Sequence, residues 1–364
     1  YTLVKLMKSA GYTTGIFGKW GLGNPGSVSI PNKMGFDEFY GYNCQRQSHS
    51  FYPDHLWHNE EKVLFPENEN NACKTYSQDL IHEQALKFIR DHKEQPFFAM
   101  LTYTLPHAEL NLPHDSIYKM YENSFEETPY IGKFDKVYGG YNTSEKPLAS
   151  FAAMVSRLDK YVGDVMAELK ELGLDKNTIV IFTSDNGPWL TEHENGGSAG
   201  PLKDGKGTWW EGGFRVPAIC WMPGKINPAI NDEIMTSMDL YPTFLSMAGI
   251  EQPKDLVLDG VNQTGLLFEE KHSARDEVYY WWGSELMAIR KGEWKYYFKT
   301  IKDQYLRTCK IETPAEPLLY NVETDISERF NQAEKHPEIV KLLIEAGEKH
   351  KKGMKIKPSV CDMM

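Results

Sequence analysis

An apolar run that ends in a carboxylate and an amide constrains this chain more than any other stretch of its sequence. Residues 178–188 read TIVIFTSDNGP. A continuous β-branched and aromatic run, closed by a Gly-Pro turn signal, predicts a strand that is buried on both faces. Ligands of open α/β sheets collect at the carboxyl ends of such strands. Asp185 and Asn186 stand at that end.

Two interpretations of this Asp-Asn pair stay open on the local sequence. Asn and Gly tolerate the left-handed backbone region and Asp caps its own turn, so the pair is compatible with simple turn chemistry. Alternatively, a charged and a neutral oxygen donor suit Ca²⁺ or Mg²⁺. The rest of the chain must separate the two.

Strands and amphipathic helices alternate on both sides of this run. The predicted strands are 12–20, 96–104 and 178–184, and the predicted helices are 3–10, 77–93, 148–172 and 237–250. This alternation predicts an α/β fold with a large, mostly parallel sheet sandwiched between helices. Residues 24–71 lack sustained periodicity and are rich in Gly, Pro, Asn and aromatic residues, so they are predicted to form long functional loops.

The sequence pattern changes near Asn262. Short aromatic runs separated by turns follow, among them EVYYWWG, LMAIRKG, EWKYYFKT and PLLYNVE, and the helical pattern HPEIVKLLIEAGEKHKK comes last. Such runs are typical of an antiparallel sheet. We therefore predict a main domain over residues 1–262 and a smaller antiparallel α+β subdomain over 263–364.

Composition excludes several classes of protein. The formal net charge of −11 over 364 residues argues against a nucleic-acid partner, which calls for clustered positive charge. The five cysteines have no metal-site spacing, and an odd count indicates no disulfide framework. No apolar run approaches the roughly 20 residues that a membrane-spanning helix needs. The first residues already follow a helical pattern, from which we expect that an amino-terminal portion is missing.

Four polar groups occupy the same architectural place, directly after a predicted strand. They are Lys19, His107, Asp185 and Asn186, and Lys206 joins them from a loop in which glycines flank the lysine. Each residue alone is more often an ordinary loop residue. Parallel strands would bring the first four to one edge of the sheet, and the combination suits an oxyanion that is bound to a divalent cation. It predicts cleavage of a sulfate or phosphate ester, with the histidine passing a proton to the leaving oxygen.

Successive blocks of the sequence resemble the formylglycine-dependent sulfatases of the alkaline phosphatase superfamily. The blocks are GYTTGIFGKWGLG, the strand followed by SDNGP, GPLKDGKGTWWEGGFRVP, MDLYPTFLSMAGI and LYNVETDISERFN. They occur in the order of the family and cover nearly the whole chain. The resemblance implies a central, mostly parallel sheet between helices, followed by a four-stranded antiparallel subdomain.

The resemblance also implies a role for each candidate residue. Asp185 and Asn186 would be ligands of Ca²⁺ (or Mg²⁺). Lys19 and Lys206 would bind the sulfate oxygens, and His107 would contact the sulfate or the leaving oxygen as the acid.

Two departures from the family pattern bear on these roles. Gly21 stands where the family has a histidine that helps to manage the formylglycine. The family nucleophile is a formylglycine made in a CxPSR motif, and no such motif occurs in these 364 residues. We expect the nucleophile, with further metal ligands, in the missing amino-terminal segment, and we expect no turnover by these residues alone.

The substrate is predicted to be a sulfated carbohydrate or a smaller sulfate ester. The loop QRQSHSFYPDHLW is rich in groups that bind sugar hydroxyls, and its aromatic residues either stack on a sugar or form loop core. His49, Asp54 and His193 are the candidate substrate contacts.

Two alternatives and two further properties stay open on the sequence. One alternative is a phosphodiesterase or phosphonate hydrolase of the same superfamily, and the other is a non-catalytic relative that binds sulfated glycans. The resemblance implies a periplasmic or secreted location, and the sequence leaves the oligomeric state open.

Overall fold

A computed structural model describes residues 1–132, 141–190, 195–302 and 310–359 of the chain. The helices are α1 (Leu3–Ser9), α2 (Pro31–Met34), α3 (Ser77–Asp91), α4 (Ser116–Lys119), α5 (Pro147–Glu171), α6 (Glu211–Phe214), α7 (Leu240–Met247), α8 (Thr264–Phe268) and α9 (Pro337–Lys352). The strands are β1 (Thr13–Lys19), β2 (Glu38–Tyr42), β3 (His55–His58), β4 (Glu61–Leu64), β5 (Phe97–Thr102), β6 (Val180–Thr183), β7 (Ala218–Trp221), β8 (Glu277–Trp282), β9 (Glu285–Lys291), β10 (Trp294–Tyr297), β11 (Thr300–Lys302), β12 (Lys310–Glu312) and β13 (Leu318–Asn321).

Contacts divide the chain into two compact units. The first unit comprises Tyr1–Ile179, Met222–Asn227 and Met238–Thr264. The second unit comprises Val180–Trp221, Pro228–Ser237 and Gly265–Met364. The division of the chain at residue 262 stays a prediction.

A five-stranded sheet forms the centre of the first unit. Its order is β4-β3-β2-β1-β5. Strands β2 and β5 run parallel to β1, whereas β3 pairs antiparallel with both β2 and β4. The carboxyl ends of β1, β2 and β5 therefore share one edge of the sheet.

Helices cover both faces of this sheet because successive residues of a strand point to opposite faces. Phe17 packs with Ile81 and Phe88 of α3 on one face. The preceding residue, Ile16, packs with Val4 of α1 on the other face. The predicted arrangement of a sheet between helices is confirmed in this unit.

Gly18 allows the strands to approach closely just before Lys19. Its φ angle is +128°, and a Cβ atom at this position would lie 2.0 Å from the carbonyl oxygen of Thr102 in β5. A side chain would thus collide with the backbone of the neighbouring strand. The pairing of β1 with β5 at this edge depends on glycine.

An antiparallel sheet organises the second unit. Strands β8, β9, β10 and β13 pair antiparallel in the order β13-β10-β9-β8. Leu343 of α9 packs on Ile289, Tyr296 and Leu319 of this sheet. The predicted α/β class with a smaller antiparallel subdomain at the carboxy terminus is confirmed.

Two local predictions were wrong. Strand β6 pairs antiparallel with β7 in a separate two-stranded sheet, and its residues are half-buried or exposed instead of buried on both faces. An apolar run encodes a preference for burial but leaves the neighbouring strand undetermined. Residues 24–71, predicted to be loops, contain β2, β3 and β4, which are too short for periodicity to detect.

The part of the chain that the structure describes has no helix long and apolar enough to cross a membrane. Cys44, Cys73 and Cys220 carry free thiols.

Replacing Phe88 with alanine tests the packing of α3 on the sheet. Phe88 is 1% exposed, and its ring centroid lies 5.3 Å from that of Phe17. We expect Phe88→Ala to lower the free energy of unfolding by about 3–5 kcal/mol through lost burial and the cavity that remains. Urea unfolding followed by circular dichroism measures this change. Leu64→Ala, at a position that is 67% exposed, is the control and should change stability by less than about 0.5 kcal/mol.

Candidate active site

Lys19 and His107 lie at the carboxyl edge of the five-stranded sheet. Lys19 is the last residue of β1 and pairs with Tyr42 of β2. His107 follows β5, and its amide donates a hydrogen bond to the carbonyl oxygen of Thr104 at 2.9 Å. The parallel register of β1 and β5 brings these two chain segments to the same edge.

His49 reaches this edge from the segment that follows β2. It ends a short 3₁₀ turn, Gln47–His49. Its ring stacks on that of His107 with centroids 5.2 Å apart. The ring of Tyr141 lies 5.2 Å from His49 and 5.8 Å from His107. Three rings from distant parts of the sequence thus form one group, which we call the ring group.

A buried carboxylate fixes the backbone beside this ring group. Glu109 is fully buried. Its carboxylate accepts hydrogen bonds from the backbone amide of Asn142 at 3.1 Å and from the Asn142 side-chain amide at 2.8 Å. Burial raises the pKa of Glu109 to about 7, although the bonds from Asn142 act in the opposite direction. Because Asn142 follows Tyr141, these bonds fix the backbone next to Tyr141.

The other predicted substrate contacts are not part of this group as described. The carboxylate of Asp54 is exposed and lies 2.9 Å from Nδ1 of the adjacent His55. His193 lies outside the described residues.

Gly21, which stands where the family has a histidine, lies after the end of β1. Its amide donates a hydrogen bond to the carbonyl oxygen of Asn43 at 3.2 Å.

The Asp185–Asn186 pair forms a turn directly after β6 in the second unit. The hydroxyl of Ser184 donates to the carbonyl oxygen of Asn186, and the side-chain amide of Asn186 donates to the carbonyl oxygen of Gly187, each at 3.0 Å. Asp185 is exposed. Its carboxylate forms no hydrogen bond or ion pair with another residue that the structure describes.

Backbone hydrogen bonds hold Lys206 beside this turn. The amide of Lys206 donates to the carbonyl oxygen of Pro188 at 2.8 Å, and the amide of Gly187 donates to that of Gly213 at 3.1 Å. A Cβ atom at position 187 would lie 1.7 Å from the carbonyl oxygen of Gly212. The two segments therefore pack backbone against backbone. The exposed side chain of Lys206 places Nζ 5.9 Å from the centre of the Trp189 ring.

The oxygen atoms of the Asp185–Asn186 turn are suitable ligands for a hard divalent cation, but they are too few to complete its coordination shell. Ca²⁺ takes six to eight oxygen ligands and Mg²⁺ takes six. The carboxylate of Asp185 and the side-chain oxygen of Asn186 would supply some of them. Over residues 1–132, 141–190, 195–302 and 310–359, no cluster of three or more His, Cys, Asp or Glu side chains could hold a metal. The pair therefore accounts for only part of a coordination shell.

The candidate residues form two sets, one in each compact unit. The first set is Lys19, His49 and His107, and the second set is Asp185, Asn186 and Lys206. The convergence of both sets on one cation stays a prediction. Sequence reasoning missed Glu109 and Tyr141, although an acidic residue in the apolar stretch LPHAELNLP is a signal for a buried carboxylate.

Family models match most of the chain. The model described as sulfatase matches residues 1–250, and the model described as the C-terminal region of aryl-sulfatase matches residues 273–364. The chain therefore belongs to the sulfatase family, and the predicted resemblance is confirmed.

Individual proteins are similar over most of the chain. An arylsulfatase of Hemicentrotus pulcherrimus is 31% identical over 337 residues, which cover 86% of this chain and 55% of the relative. An N-acetylgalactosamine-6-sulfatase of Canis lupus familiaris is 32% identical over 318 residues, with coverages of 82% and 54%. The chain thus spans about half the length of these curated relatives. The solved structure of Ps i-CgsB in complex with k-i-k-neocarrahexaose superposes with a TM-score of 0.76 at 27% identity, covering 96% of this chain and 73% of that one.

The raised pKa of Glu109 predicts a distinctive pH dependence of stability. Its pKa is about 7 in the folded chain and 4.5 in the absence of structure. The folded state binds more protons between these values, so this residue's contribution to stability falls as pH rises from about 4.5 to about 7. Glu109→Gln should remove this pH dependence. The free energy of unfolding of the variant, relative to that of the unmodified chain, should therefore rise by on the order of 1–3 kcal/mol between pH 4.5 and about pH 7.

Urea unfolding at several pH values measures this difference. Glu94→Gln replaces an exposed carboxylate and should give a difference that does not change with pH. If the difference in the free energy of unfolding between Glu109→Gln and the unmodified chain also did not change with pH, the raised pKa of Glu109 would be contradicted.

Proposed function

We propose that the complete protein is a sulfuric ester hydrolase that cleaves sulfate esters from carbohydrates. In this proposal residues 1–262 belong to the catalytic domain and residues 263–364 form the carboxy-terminal subdomain. The observation that carries the proposal is the pairing of the Lys206 amide with the Pro188 carbonyl oxygen at 2.8 Å. It brings the backbone of Lys206 next to the segment that carries two oxygen donors, Asp185 and Asn186, in a chain of the sulfatase family.

Each candidate residue has a role in this reaction. In this hydrolysis an oxygen nucleophile bonds to sulfur as the bond between sulfur and the ester oxygen breaks, and negative charge gathers on the sulfate oxygens and on the leaving oxygen. Lys19 and Lys206 would bind the sulfate oxygens and stabilise this charge. His107 would donate a proton to the leaving oxygen, for which an imidazole is suited near neutral pH.

We further propose which cofactors the reaction uses. Asp185 and Asn186 would hold Ca²⁺ or Mg²⁺ through their side-chain oxygens. The bound cation would polarise the sulfate oxygens as a Lewis acid. The resemblance further implies a formylglycine nucleophile in the complete protein.

In this proposal the substrate binds at the edge of the sheet that carries the ring group. His49 contacts His107 there, so it would lie next to the ester and contact the sugar. We propose Asp54 and His193 as further sugar contacts. The similarity to an N-acetylgalactosamine-6-sulfatase and to a protein solved with k-i-k-neocarrahexaose supports a carbohydrate substrate. Export to the periplasm or outside the cell would suit such a substrate.

Replacing Lys206 with methionine tests the proposed function. The complete natural protein should release sulfate from a sulfated oligosaccharide, and Lys206→Met should reduce kcat/KM by about 100-fold or more because a charge-stabilising contact is lost. Lys335→Met, which removes another exposed lysine of the second unit, should leave kcat/KM within about twofold, as expected for a surface substitution.

The same assay separates the alternatives. Hydrolysis of a phosphodiester or phosphonate ester in preference to the sulfate ester would indicate the other hydrolase class. Binding of the sulfated oligosaccharide without any sulfate release would indicate a non-catalytic glycan-binding protein.

Metal removal tests the proposed role of the Asp185–Asn186 turn. Treatment with EDTA should abolish sulfate release by the complete protein, and added Ca²⁺ or Mg²⁺ should restore it. Asp185→Asn removes one charge from the ligand set, so the metal concentration that restores half of the activity should rise by about tenfold or more. Asp255→Asn, an exposed position, is the control. Activity that persists after metal removal would contradict this assignment.

A further inference from the structure

Four charged side chains of the second unit are buried together. We call Glu211, Arg290, Lys295 and Glu328 the buried ion cluster. Lys295 is 0% exposed, Glu211 and Glu328 are each 1% exposed, and Arg290 is 8% exposed. Lys, Glu and Arg are almost never fully buried unless they are paired. The cluster therefore calls for an explanation.

The members of the cluster compensate each other's charge. Nζ of Lys295 lies 2.8 Å from Oε1 of Glu211 and 3.6 Å from Oε1 of Glu328. Nη1 of Arg290 lies 3.3 Å from Oε2 of Glu211. Burial alone would raise the pKa of Glu211, but Lys295 and Arg290 lower that pKa below its ordinary value. Burial raises the pKa of Glu328 above its ordinary value, because Lys295 is more distant and compensates less.

Besides pairing with each other, these side chains bind the backbone of the segment that carries Lys206. Nζ of Lys295 donates to the carbonyl oxygen of Trp209 at 2.6 Å. The hydroxyl of Tyr297 lies 3.0 Å from the same oxygen and also within hydrogen-bond distance of the Glu328 carboxylate, so its single proton serves these two acceptors. The other oxygen of Glu328 accepts a hydrogen bond from the amide of Glu211 at 2.7 Å. Residues 209–211 are thus fixed by strand β10 and by Glu328.

The segment is also fixed on the amino-terminal side of Lys206. Nζ of Lys203 donates to the backbone carbonyl oxygen of Glu328 at 3.3 Å and lies 3.3 Å from the centre of the Trp210 ring. The amide of Gly212 donates to the carbonyl oxygen of Lys203 at 2.8 Å. Lys206 therefore lies in a short loop whose two ends are anchored to the same carboxy-terminal residues.

Stability alone is a weak explanation for this arrangement. Removing charges from water is costly, and well-packed apolar residues of similar volume often give equal or greater stability than a buried ion pair. What apolar side chains cannot supply is directed hydrogen bonding to the carbonyl oxygen of Trp209 and the amide of Glu211. The geometry of the 203–211 segment is what these charges determine.

We propose that the buried ion cluster, together with Tyr297, is a positioning device that holds Lys206 beside the Asp185–Asn186 turn. The role assigned to Lys206 rests on the proposed function, whereas the mechanical link rests on the contacts above. The carboxy-terminal antiparallel sheet thereby shapes the candidate active site through the loop that it anchors.

Hydrogen exchange of Tyr297→Phe tests the link without an activity assay. This variant keeps the ring but removes the bonds to Trp209 and Glu328. Both acceptors retain Lys295 as a partner, so the protein should fold. We expect backbone amides in residues 185–190 and 203–214 to exchange about tenfold faster, the effect of losing hydrogen bonds to a charged network. Amides of β8 and β9 should keep their protection.

Two further variants make the exchange result decisive. Tyr279→Phe is the matched control: it removes the hydroxyl that donates to Glu277 on the same strand, and both segments should exchange at the original rate. Lys203→Met is the second test variant, since it breaks the other anchor, and should accelerate the same two segments. Unchanged exchange of residues 185–190 and 203–214 in both test variants overturns the proposal, as does equal acceleration of the whole second unit.

Kinetics then separates this proposal from the proposed function. In the complete protein, Tyr297→Phe should lower kcat for sulfate release about tenfold while KM stays within twofold, because a displaced lysine stabilises developing charge less well. Equal losses in Tyr279→Phe and Tyr297→Phe would indicate a merely structural role. Absence of sulfate release in the unmodified protein would refute the proposed function alone, and the exchange result would still decide the mechanical link.

Discussion

The carbonyl oxygen of Thr102 lies where a side chain at position 18 would begin, and the carbonyl oxygen of Gly212 lies where one at position 187 would begin. In both places backbone packs directly against backbone. Lys19 follows the first contact, and the Asp185–Asn186 turn precedes the second. Each contact tolerates only glycine, because any side chain would collide with the neighbouring backbone. The placement of the candidate residues therefore depends on Gly18 and Gly187 as much as on the polar groups themselves.

Polar groups in the two units are held by the same physical means. Glu109 is buried and holds Asn142 through two hydrogen bonds, and Glu328 is buried and holds the amide of Glu211. In each case a carboxylate withdrawn from water fixes a backbone segment, which carries Tyr141 of the ring group in the first unit and Lys206 in the second. Such bonds are expensive to leave unmade inside a protein, so they restrict the segment to one arrangement.

The sequence predicted which segments form helices and strands better than it predicted which strands pair with each other. The long helices α3, α5 and α9 and the strands β1 and β5 follow from periodicity and apolar runs. The strands within residues 24–71 escaped detection because they are only four or five residues long and, unlike β6, are not part of a continuous apolar run. Strand β6 was recognised as a strand, but its partner was not, since β7 begins more than 30 residues later. The pairing of strands that are distant in the sequence is determined by the tertiary structure.

For the candidate site, the sequence by itself determined the inventory: two lysines, a histidine and an Asp-Asn pair, each next to a strand or between glycines. It also determined the family, because the signature blocks are local and keep their order. Only the tertiary structure decided which groups meet, such as His49 with His107 or Lys206 with the turn after β6. It alone disclosed Glu109 and the buried ion cluster. The reason is physical: a charge becomes costly, and therefore informative, only when its surroundings exclude water, and those surroundings come from residues far away in the sequence.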